Sequence, residues 1–213
     1  MKKIVSIAML AGILSLAACH SEHSESVKSC VDYVNPYIGN VSHLLVPTFP
    51  TVQLPNSMLR IYPERADYTS ERVNGLPIIV TNHRERSAFN LTPTQSEVLS
   101  PVIAYNYDNE EIHPYGFTVE LDDNRMKAEY ALSHQSAIYQ LTFETDKQPY
   151  VLVNTRNGHI KVDGNAISGY QKLDEQTKVY LYIETQETPE LVGVVTEGKI
   201  DSSKVDADGQ NAC

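Results

Sequence analysis

The chain has few of the residues on which common reactive sites depend. It contains no tryptophan and three cysteines among 213 residues. Without tryptophan, no indole ring can act as a stacking platform in any site that the chain forms. No cysteine and histidine group has zinc-site spacing, and the P-loop, dinucleotide, HExxH and GxSxG motifs are missing. These absences argue against nucleotide, zinc and serine-hydrolase chemistry.

Basic residues are also scarce. The chain has 17 lysines and arginines against 27 aspartates and glutamates, which gives a formal net charge of -10 at pH 7. A protein of this charge repels phosphate-rich partners through simple Coulomb repulsion. We therefore expect no nucleic-acid partner, and a neutral glycan fits the charge balance better.

Residues 1–18 predict a signal peptide, because two lysines precede an apolar run that is too short to span a bilayer comfortably. The run ends in Leu16-Ala17-Ala18-Cys19, which is typical of a bacterial lipobox and predicts acylation of Cys19. The alternative is an ordinary secretory signal cleaved near Ala18. Residues 19–31 form a polar tether, which favours the lipid anchor. We expect a protein anchored to a bacterial membrane, in the periplasm or at the cell surface.

Two cysteines remain once Cys19 is assigned to the lipid. Cys30 and Cys213 could form a disulfide in an oxidising compartment. The alternative is two unpaired thiols, one in the tether and one at the end of the chain. The sequence leaves both possibilities open.

The second half of the chain predicts strands separated by turns. Phe117, Val119 and Leu121 alternate with polar residues, and residues 126–132 alternate again after a polar turn, which predicts a hairpin. Further strands are predicted at residues 139–143, 150–154, 159–162, 166–170, 179–183 and 191–195. The short spacing of the turns indicates a mostly β fold, either a sandwich or a barrel.

The first half is interrupted by prolines at 36, 47, 50, 55, 63, 77, 93 and 101, which break up every candidate strand beyond a few residues. Long ordered loops are predicted there, and loops on a rigid scaffold are where binding groups usually lie. These loops carry Arg60, Glu64, Arg65, Asp67, Arg72, His83, Arg84, Glu85 and Arg86. For any one of them the alternative is a solvated surface residue. The isolated histidines His113, His134 and His159 are predicted to be structural.

Two acidic tracts, residues 108–111 and 201–209, raise the question of calcium, which binds several carboxylate and carbonyl oxygens. Neither tract has the full pattern of a calcium loop, so both are predicted to be solvated turns. Residues 199–213 predict a polar connection without a further apolar element.

A series of ordered motifs points to one family. The chain opens with VNPYIG at residues 34–39, and continues with PYGFTVEL at 114–121, KAEYA at 127–131, YQLTF at 139–143 and ISGY at 167–170. From residue 32 to about residue 189, the chain resembles the N-terminal part of glycoside hydrolase family 92. That family consists of calcium-dependent, inverting exo-α-mannosidases with an N-terminal β-sandwich and a C-terminal (α/α)6 barrel that carries the acid and base.

The resemblance implies that residues 32–213 form the family's antiparallel β-sandwich without the barrel. It places the catalytic carboxylates and most calcium ligands in the barrel, so no catalytic or metal residue is predicted in this chain. We expect a fragment that lacks the last strands of the sandwich and is inactive alone. The alternative is a stand-alone surface lipoprotein that binds glycans without hydrolysis.

The resemblance also implies that sandwich loops contact the terminal sugar where they meet the barrel. On that basis Arg65, Asp67, His83 and Arg84 are predicted to bind mannose-containing glycans. The chain departs from the family in two segments: residues 39–50 replace a glycine- and histidine-rich GTGGHGHTFPG, and residues 75–84 replace GFSHTHLSGTG. These departures indicate a divergent branch and leave the linkage, and mannose itself, open.

Overall fold

The structure is a computed structural model that describes residues 28–39, 48–65, 70–79, 88–122, 125–143, 147–210 and 212–213. The chain divides into two compact units, Met1–Tyr33 and Val34–Cys213. In the first, Cys30–Tyr33 form a single 3-10 turn. The predicted signal peptide, Cys19 and most of the predicted tether lie outside the described residues. No helix within the described ranges is long and apolar enough to cross a membrane.

The second unit is built from antiparallel strands. Its described residues form fourteen strands: β1 (Arg72–Val73), β2 (Leu76–Ile79), β3 (Ala88–Thr94), β4 (Tyr105–His113), β5 (Gly116–Leu121), β6 (Met126–Leu132), β7 (Ala137–Phe143), β8 (Tyr150–Asn154), β9 (Gly158–Asp163), β10 (Ala166–Lys172), β11 (Lys178–Glu184), β12 (Val194–Thr196), β13 (Lys199–Asp201) and β14 (Asp206–Gly209). Their sheets have the orders β1-β4-β5-β6-β7, β11-β10-β9-β14, β2-β3-β8 and β12-β13. The predicted mostly β, antiparallel architecture is confirmed.

The predicted hairpin is the pair β5 and β6. Val119 pairs with Ala128, Phe117 with Tyr130 and Leu121 with Met126, and all six side chains are buried in the core. Each large apolar side chain buried in this way contributes about 1.5–3 kcal/mol to folding. The inward side chains of β11, Val179, Leu181 and Ile183, pack against the same core. Two sheets therefore cover one apolar layer, as in a sandwich.

The prediction that prolines end the strands of the first half is wrong for β3. This strand has seven residues, all of them buried, and includes Pro93. The last pair between β2 and β3 is Leu76 with Leu91, so Pro93 lies past the end of β2, with only β8 beside it. A proline is tolerated where a strand lacks a neighbour on one side, because no ladder hydrogen bond is lost there.

The predicted polar connection at residues 199–213 is also wrong, since it contains β13 and β14. Strand β14 pairs with β9, with Asp206 opposite Lys161 and Asp208 opposite His159. Beyond β14, Thr155 N donates to Ala212 O at 2.9 Å. The acidic tract 201–209 therefore belongs partly to an edge strand, where side chains on one face meet water.

The two described cysteines are free thiols. Cys30 is exposed in the first unit. Cys213 belongs to the second unit, where burial raises the pKa of its thiol to about 12. Of the two possibilities that the sequence leaves open, the structure has the unpaired one.

Candidate functional site

The opening motif forms a tight turn. Asn35 Oδ1 accepts a hydrogen bond from Tyr37 N at 2.9 Å, and Ile38 N donates to Asn35 O at 3.2 Å. Asparagine in the first position and proline in the second favour this geometry. The next residue, Gly39, has a φ of 91°, and a Cβ there would lie 2.9 Å from Thr48 Oγ1. The turn thus requires glycine and lies against Thr48.

A second loop is fixed by a single antiparallel bridge. Val52 N donates to Ile61 O at 2.8 Å and Ile61 N donates to Val52 O at 3.1 Å, and both side chains are fully buried. The loop reverses through Pro55 and Asn56, and Asn56 has a φ of 57°, as the third position of a type II turn requires. The bridge brings residues 48–51 beside residues 60–62.

These two loops enclose a hollow of about 250 Å³, which we call the loop hollow. Its lining residues are Pro36, Ile38, Thr48, Phe49, Thr51, Arg60 and Tyr62. The rings of Phe49 and Tyr62 stack with their centres 4.9 Å apart. Within the described part of the chain, the guanidinium of Arg60 forms no ion pair. An apolar ring surface beside hydroxyls and a guanidinium group suits a small polar ligand.

The lining of the loop hollow contains no carboxylate among its described residues. It can offer hydrogen-bond donors, hydroxyl oxygens and an aromatic surface to a ligand. None of these described lining side chains is a carboxylic acid or a carboxylate that could act in hydrolysis.

Arg65, the one predicted substrate residue that the structure describes, lies in an ion pair with Glu110. Their side chains are 5% and 10% exposed. The guanidinium carbon of Arg65 lies 4.8 Å from the centre of the Tyr107 ring, and Tyr37 donates a hydrogen bond to Glu110 Oε2 at 3.3 Å. Burial lowers the pKa of Arg65. Arg65 therefore reaches the turn that borders the loop hollow through Glu110 and Tyr37, and its role towards a substrate stays a prediction.

Glu110 meets Arg65 because β4 contains a bulge. Asp108 pairs with Glu120 and Glu111 pairs with Thr118, so Asn109 and Glu110 together stand opposite one residue of β5. Asn109 has a φ of 50°, a conformation that asparagine tolerates. The prediction of a solvated turn at residues 108–111 is wrong, because these residues lie in β4. Asparagine adopts a positive φ in turns and in bulges alike, so the sequence did not distinguish the two.

A second ion pair holds the segment of residues 60–65. Glu64 accepts from Arg156, and the two side chains are 12% and 22% exposed. Burial is the main cause that raises the pKa of Tyr62, and the charge of Glu64 adds to it. Residues 60–65 therefore supply part of the wall of the loop hollow and two ion pairs, one to Glu110 in β4 and one to Arg156 between β8 and β9.

The other predicted substrate residues, Asp67, His83 and Arg84, lie outside the described residues. The sequence did not single out Phe49 or Tyr62, although a signal was present. Arg60 and Tyr62 alternate with the apolar Leu59 and Ile61 between two prolines, which is the pattern of a short extended segment with one polar face.

The described residues contain one group that could hold a metal ion, formed by His159, Asp206 and Asp208. Their ligand atoms lie within 4.8 Å of one another, and His159 Nδ1 lies 3.0 Å from Asp208 Oδ1. Calcium takes six to eight oxygen ligands. One imidazole nitrogen and two carboxylates do not fit that requirement, so this group is no calcium site. The contact with Asp208 does not decide the role of His159, so its structural role stays a prediction.

Comparison with known proteins gives one family and one fold. The model of the glycosyl hydrolase family 92 N-terminal domain matches residues 33–213. The structure of the family GH92 α-mannosidase BT3965 from Bacteroides thetaiotaomicron superposes with a TM-score of 0.69 at 19% identity, over 85% of this chain and 30% of that enzyme. Its complex with mannoimidazole also gives a TM-score of 0.69 at 19% identity, over 85% and 29% of the two chains. The search of curated proteins gave no match. The chain thus spans under a third of the length of this mannosidase.

Proposed function

Because the chain belongs to glycoside hydrolase family 92, as its N-terminal domain, we propose that it is the substrate-side domain of an α-mannosidase that removes terminal mannose from glycans. The observation that carries the proposal is the loop hollow, where the family's opening motif borders a stacked aromatic pair and the guanidinium of Arg60. The complex of BT3965 with mannoimidazole supports a mannose-type ligand for the family.

The chemistry of the loop hollow suits one pyranose ring. The apolar face of the sugar would pack against the free face of the Phe49 ring, whose other face lies on the buried Tyr62 ring. The guanidinium of Arg60 is planar and carries five N–H donors, so it can donate to two neighbouring hydroxyls at once. Thr48 and Thr51 add hydroxyl groups that can donate or accept. The hollow would therefore select a ring with adjacent hydroxyls on one side.

We propose roles at this site for the four residues predicted from the sequence. Arg65 acts as a positioning residue, because it holds Glu110, which in turn receives the hydrogen bond from Tyr37 in the bordering turn. We propose Asp67, His83 and Arg84 as further sugar contacts from the two loops that carry them.

The hydrolytic step belongs to a second domain in this proposal. Inversion needs a carboxylic acid and a carboxylate base about 6.5–9.5 Å apart. We assign both, together with calcium, to the (α/α)6 barrel of the family, and the 213-residue chain alone is inactive. A lipid on Cys19 would hold the protein to a bacterial membrane.

Binding of α-1,2-mannobiose to the purified chain tests the substrate role. We expect weak binding, with a Kd on the order of 1 mM by NMR titration. Arg60→Ala should raise this Kd about tenfold, because it removes a charged hydrogen-bond donor. Arg125→Ala, which changes an exposed arginine in the β5–β6 turn, should leave it unchanged. Equal binding by the two variants would contradict the assignment of the hollow.

Release of mannose by the same chain tests the division of labour. We expect none from the chain alone, and release only when a family 92 barrel domain is supplied. Release by the isolated chain would disprove its inactivity. Binding without any gain of hydrolysis on addition of the barrel would favour the alternative, a surface lipoprotein that binds glycans.

A further inference from the structure

The outward face of the sheet β11-β10-β9-β14 carries an unusual row of aromatic side chains. Pairing places Tyr180 opposite Tyr170, and Tyr170 opposite His159. The ring centres of Tyr170 and Tyr180 are 6.2 Å apart, and those of Tyr170 and His159 are 6.0 Å apart. The next row of the same face contains Tyr182, Ser168 and Lys161. We call these six residues the aromatic face.

The tyrosines of the aromatic face are exposed because their neighbours face the core. Val179 and Leu181 pack against the core, and strand side chains alternate between the two faces. Tyr180 and Tyr182 consequently point to solvent and are 74% and 68% exposed. Lys178 Nζ lies 4.2 Å from the centre of the Tyr170 ring, which holds that ring in place.

The second row of the aromatic face has one short side chain at its centre. Ser168 has the shortest side chain of the second row and lies between Tyr182 and Lys161 in the register of the sheet. The taller rings of Tyr170 and Tyr180 lie in the adjacent row. A ligand ring over Ser168 would therefore have aromatic surface beside it and an ammonium group at its edge.

The charges around the aromatic face decide what kind of ligand it suits. The outward positions of these four strands carry both signs: Lys161, Lys172 and Lys178 against Asp163, Asp206, Asp208 and Glu184. Because the two signs nearly balance, neither a polyanion nor a polycation gains net attraction. A neutral ligand with apolar ring faces and many hydroxyls complements both the rings and the mixed charges. These are the properties of a glycan chain.

We propose that the aromatic face is a second glycan-binding surface, separate from the loop hollow, that takes a neutral oligosaccharide across its two rows. Its sugar rings pack on Tyr180 and Tyr182, and its hydroxyls bond to Lys161 and to the acidic residues of β14. This surface gives the protein a second hold on a long glycan besides the hold on a terminal sugar.

The experiment measures binding of α-1,2-mannotetraose to the full chain in the Arg60→Ala background, in which the loop hollow is impaired. We expect residual binding, with shifts of tyrosine ring signals by NMR. The further change Tyr180→Ala with Tyr182→Ala should raise the residual Kd about tenfold or more. Ser168→Arg, which places a long side chain between Tyr182 and Lys161 and keeps both rings, should have the same effect.

Tyr115→Ala is the matched control, since Tyr115 is a 42% exposed tyrosine in the turn between β4 and β5, away from the aromatic face, and it should leave binding unchanged. The proposal is overturned if residual binding is absent, or if it survives both the tyrosine and Ser168 changes. It is also overturned if the tyrosine variant loses only self-association of the free chain by sedimentation. If Arg60→Ala leaves the Kd unchanged while Tyr180→Ala with Tyr182→Ala still raises it, the result refutes the loop hollow and supports the aromatic face.

Discussion

The side chain of Gln171 provides the sharpest test of the forces that hold the fold. This residue of β10 is 5% exposed. Its Oε1 accepts hydrogen bonds from Phe89 N at 2.9 Å and from Arg156 N at 3.1 Å. Phe89 has a φ of 58°, which costs a bulky residue about 1–3 kcal/mol. One amide oxygen therefore satisfies two backbone donors and holds a strained residue at the start of β3.

Gln171→Met removes this acceptor with little change in volume. Each buried donor left without a partner costs about 1–3 kcal/mol. The Arg156 donor is only partly buried, so its loss lies at the lower end, and burial of the thioether offsets part of the total. We expect a loss of about 3 kcal/mol in the free energy of unfolding. For a domain of this size, each kcal/mol lowers the Tm by about 2–4 °C, which predicts a shift of roughly 6–12 °C.

Thermal and urea unfolding followed by circular dichroism measure this loss. The matched control is Gln140→Met, since Gln140 is an exposed residue of β7, and its Tm should stay within about 1 °C of the parent. A Gln171→Met protein as stable as the Gln140→Met protein would refute the argument, because the two donors would then have found other partners at no cost.

Two further perturbations follow from the ion pair and the free thiols. Glu110→Gln leaves the charge of Arg65 buried without its counterion and should lower the free energy of unfolding in urea by about 2–4 kcal/mol. The control Glu111→Gln changes an exposed neighbour and should lower it by under about 0.5 kcal/mol. Equal values for the two variants would show that the ion pair contributes nothing to stability. In alkylation at about pH 8.5, Cys30 should react and Cys213 should not, because burial raises the pKa of Cys213 to about 12. Mass spectrometry of the peptides gives both yields, and equal labelling of the folded chain would contradict the burial of Cys213.

The sequence predicted the strands whose partners are close along the chain. The alternation in residues 117–121 and 126–132 is regular, and a short turn joins the two segments, so local pattern determines the pairing. The same holds for β9, β10 and β11, which follow one another and pair in order. Strand β14 was missed because its residues do not alternate between apolar and polar, and because its partner β9 lies about 45 residues earlier in the sequence.

The bulge in β4 was missed for a different reason. Tyr105 and Tyr107 face inward before it, whereas Glu110 and Ile112 face inward after it, so the alternation changes phase at Asn109. Such a shift is recognised only against the partner strand. Without the bulge, nothing in the sequence pairs Arg65 with Glu110, which is 45 residues away.

The loop hollow also depends on contacts between distant residues. Its walls meet because Gly39 bonds to Thr48 and because Val52 pairs with Ile61. The sequence predicted loops with charged groups in this region, and that much is correct for Arg60. The stacking of Phe49 on Tyr62 follows only from the bridge between the two segments, which no periodic pattern shows.

The ion pairs at the end of residues 60–65 have a consequence for recognition. Glu64 and Arg65 are held by Arg156 and Glu110 before any ligand arrives, so the wall of the hollow is ordered in the free protein. Immobilising a flexible side chain on binding costs about 0.5–1.5 kcal/mol. A wall that has already lost this freedom during folding adds little entropic cost to association. The hollow would then distinguish sugars by shape, since a rigid wall cannot adapt to a ring whose hydroxyls point the other way.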